Sequence, residues 1–441
     1  MSAAARNLEM AEILIATLSP IGHFAPMANV ARGLVDRGDR VTVLSGAGRA
    51  DDIRAVGATP ATLPSRGDLD LTLLGPGSGR DNVSGIRRLN FDIVRLFVAP
   101  MPHQTAAVAD LLAYKRFDAI LADYGFFGLL PFALGDVSAR PPILLYSTTP
   151  LMINSRDTAP SGLGLPPSTT PLGRLRNRGL ALLSHKVLLR QAQKAANYQL
   201  NRLNSRPLPI FLLDSGVLAD RLIAPTVPEF DYPRGDLPAN VRYVGMVHPT
   251  PTQKFRPPVW WHKLDGDRPV VHVTQGTVDN TDLSRLLRPT IEALADENVM
   301  VVATTGGRPV SALGFPVPRN AHVAEHIPHD LLLPKVDVMV SNGGYGAVQR
   351  ALAAGVPLVV AGNTEDKPEV AARVAWSGAG IDLRTGTPTT RAVRNAVREV
   401  LGDGRYLRRA RELEAAYAQR DGVAEIAALI DEAIGERAVT S

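Results

Sequence analysis

The chain has 441 residues, 45% of them hydrophobic, which is material for two full-sized cores rather than one. It has no cysteine, so disulfides, thiol catalysis and thiolate metal sites are excluded. The net charge is +5, only seven of the 48 basic residues are Lys, and Arg is scattered along the chain; this speaks against nucleic acid as a partner and leaves an anionic ligand open. No run of eighteen apolar residues occurs, so no transmembrane helix is expected. The first apolar run is too short for a signal peptide, and a cytoplasmic protein is expected.

Ile13 to Leu18 reads as a strand, Ser19-Pro20-Ile21-Gly22-His23 as a turn, and Phe24 to Arg37 as a helix closed by Gly38. Arg40 to Leu44 is a second strand and Asp51 to Val56 a short helix. Strand and helix in alternation predict an α/β fold with a parallel sheet, in which ligands bind beyond the carboxyl ends of the strands. His23 falls in the turn at such an end. An imidazole there suits a general base, although a His that only packs the turn would occupy the same place. Pro64 to Gly85 is a polar loop. It contains Asp68-Leu69-Asp70, and Asp265-Gly266-Asp267 follows much later. Neither pair follows a strand or has an evident third ligand, so no metal site is expected.

Ile86 to Leu112 is mainly helical in pattern. Ala119 to Ala122 is a strand that delivers Asp123 to the same sheet edge as His23. A buried Asp beside an imidazole would hold its tautomer and stabilise the imidazolium; an Asp capping the next helix is the plainer alternative. Ile143 to Tyr146 is a further strand, and Leu151 to Thr170 a loop rich in Pro, Gly, Ser and Thr. Leu172 to Leu203 reads as one long amphipathic helix with seven basic residues. The expected arrangement is a solvated helix packed on its own domain. The alternative is weak peripheral association with an anionic membrane. Asp231 to Pro258 shows little periodicity and marks a domain boundary. The expected division is an N-terminal domain over 1–240, a linker over 241–265 and a second domain over 266–410. A C-terminal helical segment over 411–441 can return to the first domain.

The second half repeats the alternation. Val270 to Thr274 is a strand followed by the turn Gln275-Gly276-Thr277. Val299 to Thr304 is a strand, and Val323 lies in a short one that leads to Glu325-His326-Ile327-Pro328-His329. Val336 to Val340 is a strand, Ser341-Asn342-Gly343-Gly344 a tight turn, and Ala347 to Ala354 a helix ended by Gly355 and Pro357. A glycine-rich turn before a helix leaves the first N–H groups free at the positive end of the helix dipole. That suits an anion, most naturally a diphosphate, although an ordinary turn uses glycine in the same way. Thr389 to Leu401 and Tyr406 to Ile434 are amphipathic helices. Two such sheets facing each other leave a cleft suited to a ligand.

Three segments carry a resemblance that spans nearly the whole chain: SPIGHFAPMANVARGLVDRGDRVTVL from Ser19 to Leu44, LADYGFFG from Leu121 to Gly128, and the stretch from Glu325 to Asp382. In these the chain resembles inverting family-one glycosyltransferases, which include plant secondary-product and bacterial macrolide enzymes. The resemblance implies the GT-B fold, two Rossmann-like parallel-sheet domains facing across a cleft. It implies His23 as base on an acceptor hydroxyl and Asp123 as its orienting carboxylate. It implies a donor site for a UDP- or dTDP-hexose made from Gly22, the turn Thr274, Gly276 and Thr277, and His326 and His329. Asn342, Gly343, Gly344, Tyr345, Gly346 and Ala347 would meet the diphosphate, and Asp366 and Lys367 the sugar. No cofactor beyond the nucleotide sugar and no metal is implied, and the acceptor would be a small lipophilic molecule such as a secondary metabolite.

Three residues depart from the family pattern. Asn342 stands where a phosphate-binding His is usual, Ala347 where a hydroxyl residue is frequent, and Arg350 where a Glu binds ribose. Arg has only donors, so ribose recognition must differ or shift to Gln349. Two alternatives remain at this point: a glycolipid-forming transferase or nucleotide-sugar epimerase on the same fold, and a non-catalytic nucleotide-binding protein.

Overall fold

The apolar runs become the inner strands of two parallel sheets, buried on both faces, which is why they read as continuous rather than alternating. The computed structural model describes residues 10–69, 73, 80–83, 85–248, 255–277 and 280–440. The first sheet is built from β1 (Glu12–Ala16), β2 (Arg40–Gly46), β3 (Thr59–Leu63), β4 (Ala119–Asp123), β5 (Ile143–Tyr146), β6 (Arg221–Ala224) and β7 (Val241–Tyr243), in the order β3-β2-β1-β4-β5-β6-β7. The second has β8 (Val270–Thr274), β9 (Met300–Thr304), β10 (Ala321–Ala324), β11 (Val338–Ser341), β12 (Leu358–Val360) and β13 (Gly380–Asp382), in the order β10-β9-β8-β11-β12-β13. Each order reverses direction once, between β1 and β4 and between β8 and β11. Such a switch point opens a crevice at the carboxyl ends of the strands, where ligands of this fold class bind.

The helices that accompany these sheets include α1 (Ile21–Arg37), α2 (Pro171–Leu183), α3 (Arg190–Arg202), α4 (Tyr345–Ala353), α5 (Lys367–Ser377), α6 (Gly404–Ala418) and α7 (Gly422–Thr440). The last crosses back to the first domain. It places Ile426, Leu429, Ile430 and Ala433 in one core cluster with Met27, Val30, Ala31 and Leu34 of α1. Gly33 permits this approach, because a Cβ there would lie 2.1 Å from Val423 Cγ1.

Several elements differ from the sequence reading. His23 is not in a loop but in the first turn of α1, which begins at Ile21; the N–H groups of His23 and Phe24 both donate to Pro20 O at 2.9 Å. The segment expected as linker contributes β7, the seventh strand of the first sheet. Its three residues, Val-Arg-Tyr, carry too little pattern to be seen. The long helix expected from 172 to 203 is two helices separated by a wide turn at Ser184–Leu188. The buried Asn90 explains the break: its Nδ2 donates to Leu188 O at 2.6 Å and its Oδ1 accepts from Ala192 N at 3.2 Å, so one side chain satisfies backbone groups on both sides of it. The helix expected from 406 to 434 likewise divides into α6 and α7, at the point where the chain changes domain.

Both halves of the basic stretch pack on their own domain, α3 through apolar side chains and α2 through polar contacts, Arg174 Nε to Asp157 Oδ1 at 2.7 Å and Asn177 Nδ2 to Arg156 O at 3.0 Å. α3 buries Ala192, Ala196 and Leu200, whereas the one buried side chain of α2 is Asn177. Leu172, Leu175, Leu182 and Leu183 of α2 stand exposed, Leu172 by 80%. Of the two acidic pairs, Asp70 lies outside the described residues. Asp68 accepts from Ser19 N at 3.0 Å, and Asp265 pairs with Lys335 Nζ at 2.5 Å. Among the described residues no group of three or more His, Asp or Glu is placed to hold a metal ion, and no helix is long and apolar enough to cross a membrane.

Candidate active site

The first switch point brings His23 and Asp123 together. Asp123, at the carboxyl end of β4, is fully buried, and its Oδ2 lies 2.5 Å from His23 Nδ1. Its Oδ1 accepts from Gly125 N at 2.9 Å, which fixes the carboxylate plane. Nδ1 of His23 therefore faces a carboxylate as a donor, and Nε2 is left to accept a proton. Burial alone would lower the His23 pKa, but the charge of Asp123 and its hydrogen bond outweigh this and raise it, with smaller contributions from Asp366 and Asp68. Thr148, two residues beyond β5, completes the group: its hydroxyl lies 3.3 Å from His23 Nδ1 and 3.4 Å from Asp123 Oδ1. The sequence reading missed Thr148. The signal was available, since Ser147-Thr148-Thr149 leaves β5 at the same sheet edge.

Asp366 belongs to the second domain, just before α5, yet its charge acts on His23 and that of His23 on Asp366. Burial raises its pKa to about 6, against the opposing effects of Lys367 and His23. The expected base and the expected sugar-contacting carboxylate are thus close enough for the charge of each to bear on the other. Lys367 is buried and already engaged, donating to Thr364 Oγ1 at 3.0 Å and to Glu365. Gly22, next to His23, is exposed, and a Cβ there would meet nothing within 4 Å.

The second switch point brings the two donor-side turns together. Asn342 Nδ2 donates to Gln275 O at 2.5 Å, tying the loop after β11 to the loop after β8, which follows Thr274 at the end of that strand and contains Gly276 and Thr277. At the departure from the family's His, the Asn side chain thus spends one N–H on holding the backbone. Gly343 has φ 86°, which a side chain rarely adopts, and a Cβ would lie 2.8 Å from Val360 Cγ1. Gly344 caps α4, and the N–H groups of Tyr345 and Gly346 at its first turn have no acceptor within the helix. The Tyr345 ring is buried in the core with Leu413 and Tyr417, so only its backbone is available to a ligand; Ala347 packs against the same cluster.

His326 is exposed, as a stacking platform would be. His329 is not: its ring meets the buried His272 edge-on at 5.4 Å, its Nδ1 has no partner, and burial lowers its pKa well below the ordinary value. Arg350 lies close enough to bear on both His329 and Tyr146 of the first domain.

Known proteins resemble the chain along nearly its whole length. The chain is 42% identical to 4'-demethylrebeccamycin synthase of Lentzea aerocolonigenes over 432 residues, covering 96% of this chain and 99% of that one. It belongs to the family-one glycosyltransferases. As a glycosyltransferase it is also 35% identical to UDP-glycosyltransferase 2 of Phaeomoniella chlamydospora, over 95% of both chains. Residues 288–432 match the family described as erythromycin biosynthesis protein CIII-like, C-terminal domain. The fold is that of the calicheamicin glycosyltransferase CalG4, with a TM-score of 0.70 at 22% identity over 97% of this chain and 99% of that one. The two sheets are those of the GT-B fold.

Proposed function

We propose that the enzyme is an inverting glycosyltransferase that moves a hexose from a UDP- or dTDP-sugar to a hydroxyl of a small lipophilic acceptor, such as a secondary metabolite. The observation that carries this is the His23–Asp123 pair, in which a buried carboxylate holds Nδ1 at 2.5 Å and leaves Nε2 to accept a proton, with the charge of Asp366 of the other domain bearing on it. His23 Nε2 takes the acceptor's hydroxyl proton as its oxygen forms a bond to the anomeric carbon. The bond from that carbon to the diphosphate oxygen breaks, and the nucleoside diphosphate leaves with the electron pair. A single displacement inverts the configuration. Asp123 stabilises the imidazolium. The start of α4 and its neighbouring glycines receive the developing negative charge, a task that needs no metal on this reading. The acceptor class is supported by the relative named as a rebeccamycin synthase, and the donor class by those named as UDP-glycosyltransferases.

Transfer is assayed by mass spectrometry with UDP- and dTDP-hexoses and aromatic aglycones, with and without chelator. His23→Ala is expected to lose at least a hundredfold in rate, within the range of about 10²–10⁴ for a general base. Retention of full activity would sink the mechanism. Nucleotide choice is read separately, as the thermal shift given by UDP, dTDP, GDP and ADP.

The exposed leucines of α2 favour a second reading, in which the acceptor is a glycolipid precursor met at a membrane surface. Residues 171–202 hold seven basic residues and no acidic one. Co-sedimentation with anionic but not zwitterionic vesicles would support it, and no binding to either would remove it.

A further inference from the structure

Two backbone N–H groups of the first domain are held by one carboxylate of the second. Gly162 and Gly164 donate to Glu369 Oε1 at 2.8 and 2.7 Å. Both have positive φ, 99° and 58°, and this left-handed backbone turns the two N–H groups toward one point, as in an anion-binding nest. Glu369 is buried, and a carboxylate in such a place is tolerated only when its oxygens are used. Its Oε2 accepts from Arg373 Nη1 at 2.9 Å. Arg373, also buried, donates through Nε to Asp231 Oδ1 at 3.0 Å and lies 4.1 Å from the Tyr232 ring centre. Asp231 Oδ2 accepts from Arg234 Nη1 at 2.7 Å, and Arg234 Nη2 donates to Leu151 O at 3.2 Å. The loop from Leu151 to Gly164 is therefore held at both ends by one circuit that runs through both domains.

The circuit touches the active site at two points. The loop starts three residues after Thr148, which contacts His23 and Asp123. Glu369 stands three residues after Asp366, whose charge acts on His23. We propose that Glu369 is a positioning residue: by gripping Gly162 and Gly164 it holds the acceptor-side loop in place only while α5 presents Asp366 to His23, so that acceptor pocket and donor site form together. This rests on the glycosyl-transfer reading for its kinetic consequence but not for the grip itself.

The test compares wild type with Glu369→Ala and Glu369→Gln. In Glu369→Ala, amide hydrogen exchange of residues 159–166 is expected to speed up at least tenfold and the acceptor KM to rise at least tenfold. The kcat and the thermal shift given by the preferred nucleoside diphosphate should stay within threefold. Glu369→Gln keeps one oxygen for the two glycine N–H groups and is expected to recover most of the protection. Should Glu369→Ala not fold, Glu369→Asp withdraws the carboxylate by one methylene from the two glycine N–H groups while keeping a charge for Arg373; the same loss of protection and rise in KM are expected. Unchanged exchange in the loop overturns the proposal. So does an equal loss of loop protection and nucleotide shift, which would mark Glu369 as a general structural ion pair. If the wild type transfers sugar to no acceptor, the transfer reading fails while the exchange measurement still decides the grip.

Discussion

Asp123→Asn is the most informative single change, because the hydrogen bonds around Asp123 dictate how the amide must sit. Gly125 N already donates to Oδ1. In the variant the amide oxygen keeps that bond, so the NH2 group turns toward His23 Nδ1. Nδ1 must then accept, which puts the ring proton on Nε2, the atom that takes the acceptor's proton in the proposed mechanism. The charge that raises the His23 pKa is lost as well. As the proposed base His23 is active when neutral, so its raised pKa is expected to place the acid limb of kcat/KM above the ordinary imidazole range. In the variant that limb is expected to move down, because the charge that held the pKa up is gone, while the plateau falls by about 10²–10⁴. Transfer rates across pH 5–9 give both numbers, and imidazole nitrogen-15 shifts give the tautomer without any substrate. A variant within tenfold of wild type, or an unmoved acid limb, would refute the orienting role. So would a neutral His23 whose proton stays on Nδ1.

Two further outcomes concern stability and the donor loops. Asp231, buried between Arg234 and Arg373, has its pKa held down at about 2 against burial. A depressed carboxylate stabilises above its unfolded pKa, so this contribution, on the order of 2 kcal/mol, is present at neutral pH and lost between about pH 4 and pH 2. Asp231→Asn leaves Arg373 short of a partner and is expected to cost about 3–5 kcal/mol by thermal or urea unfolding; a loss under 1 kcal/mol would show that the circuit contributes little. Gly362→Ala puts a Cβ 1.9 Å from Asn342 O and 2.9 Å from Lys367 Cβ, forcing the turns after β11 and β12 apart. A destabilisation of about 1–3 kcal/mol is expected, together with loss of the nucleotide thermal shift; an unchanged shift would mean that these turns do not shape the donor site.

Much of this site was legible because its residues follow a rule of position. Asp123 ends β4 and His23 lies in the first turn of the helix that follows β1, and the sheet order puts those two strand ends side by side at a switch point. The same rule covers Gly276 and Asn342 after β8 and β11. The family resemblance supplied Asp366 and Lys367, which no periodicity marks. What stayed hidden are features whose cause lies far along the chain. The break between α2 and α3 is made by Asn90, 98 residues from Leu188. The grip of Glu369 on Gly162 spans 207 residues, and Arg373 finds Asp231 across 142. Arg373 shows the difficulty most sharply. On an amphipathic helix an Arg reads as part of the wet face, yet here it is buried, and only the two acids it meets, Asp231 and Glu369, explain why that is tolerated. Of these, Glu369 is four residues away on the same helix and visible in the sequence as an (i, i+4) pair. The other comes from the end of the first domain, and it turns a local ion pair into a joint between the domains.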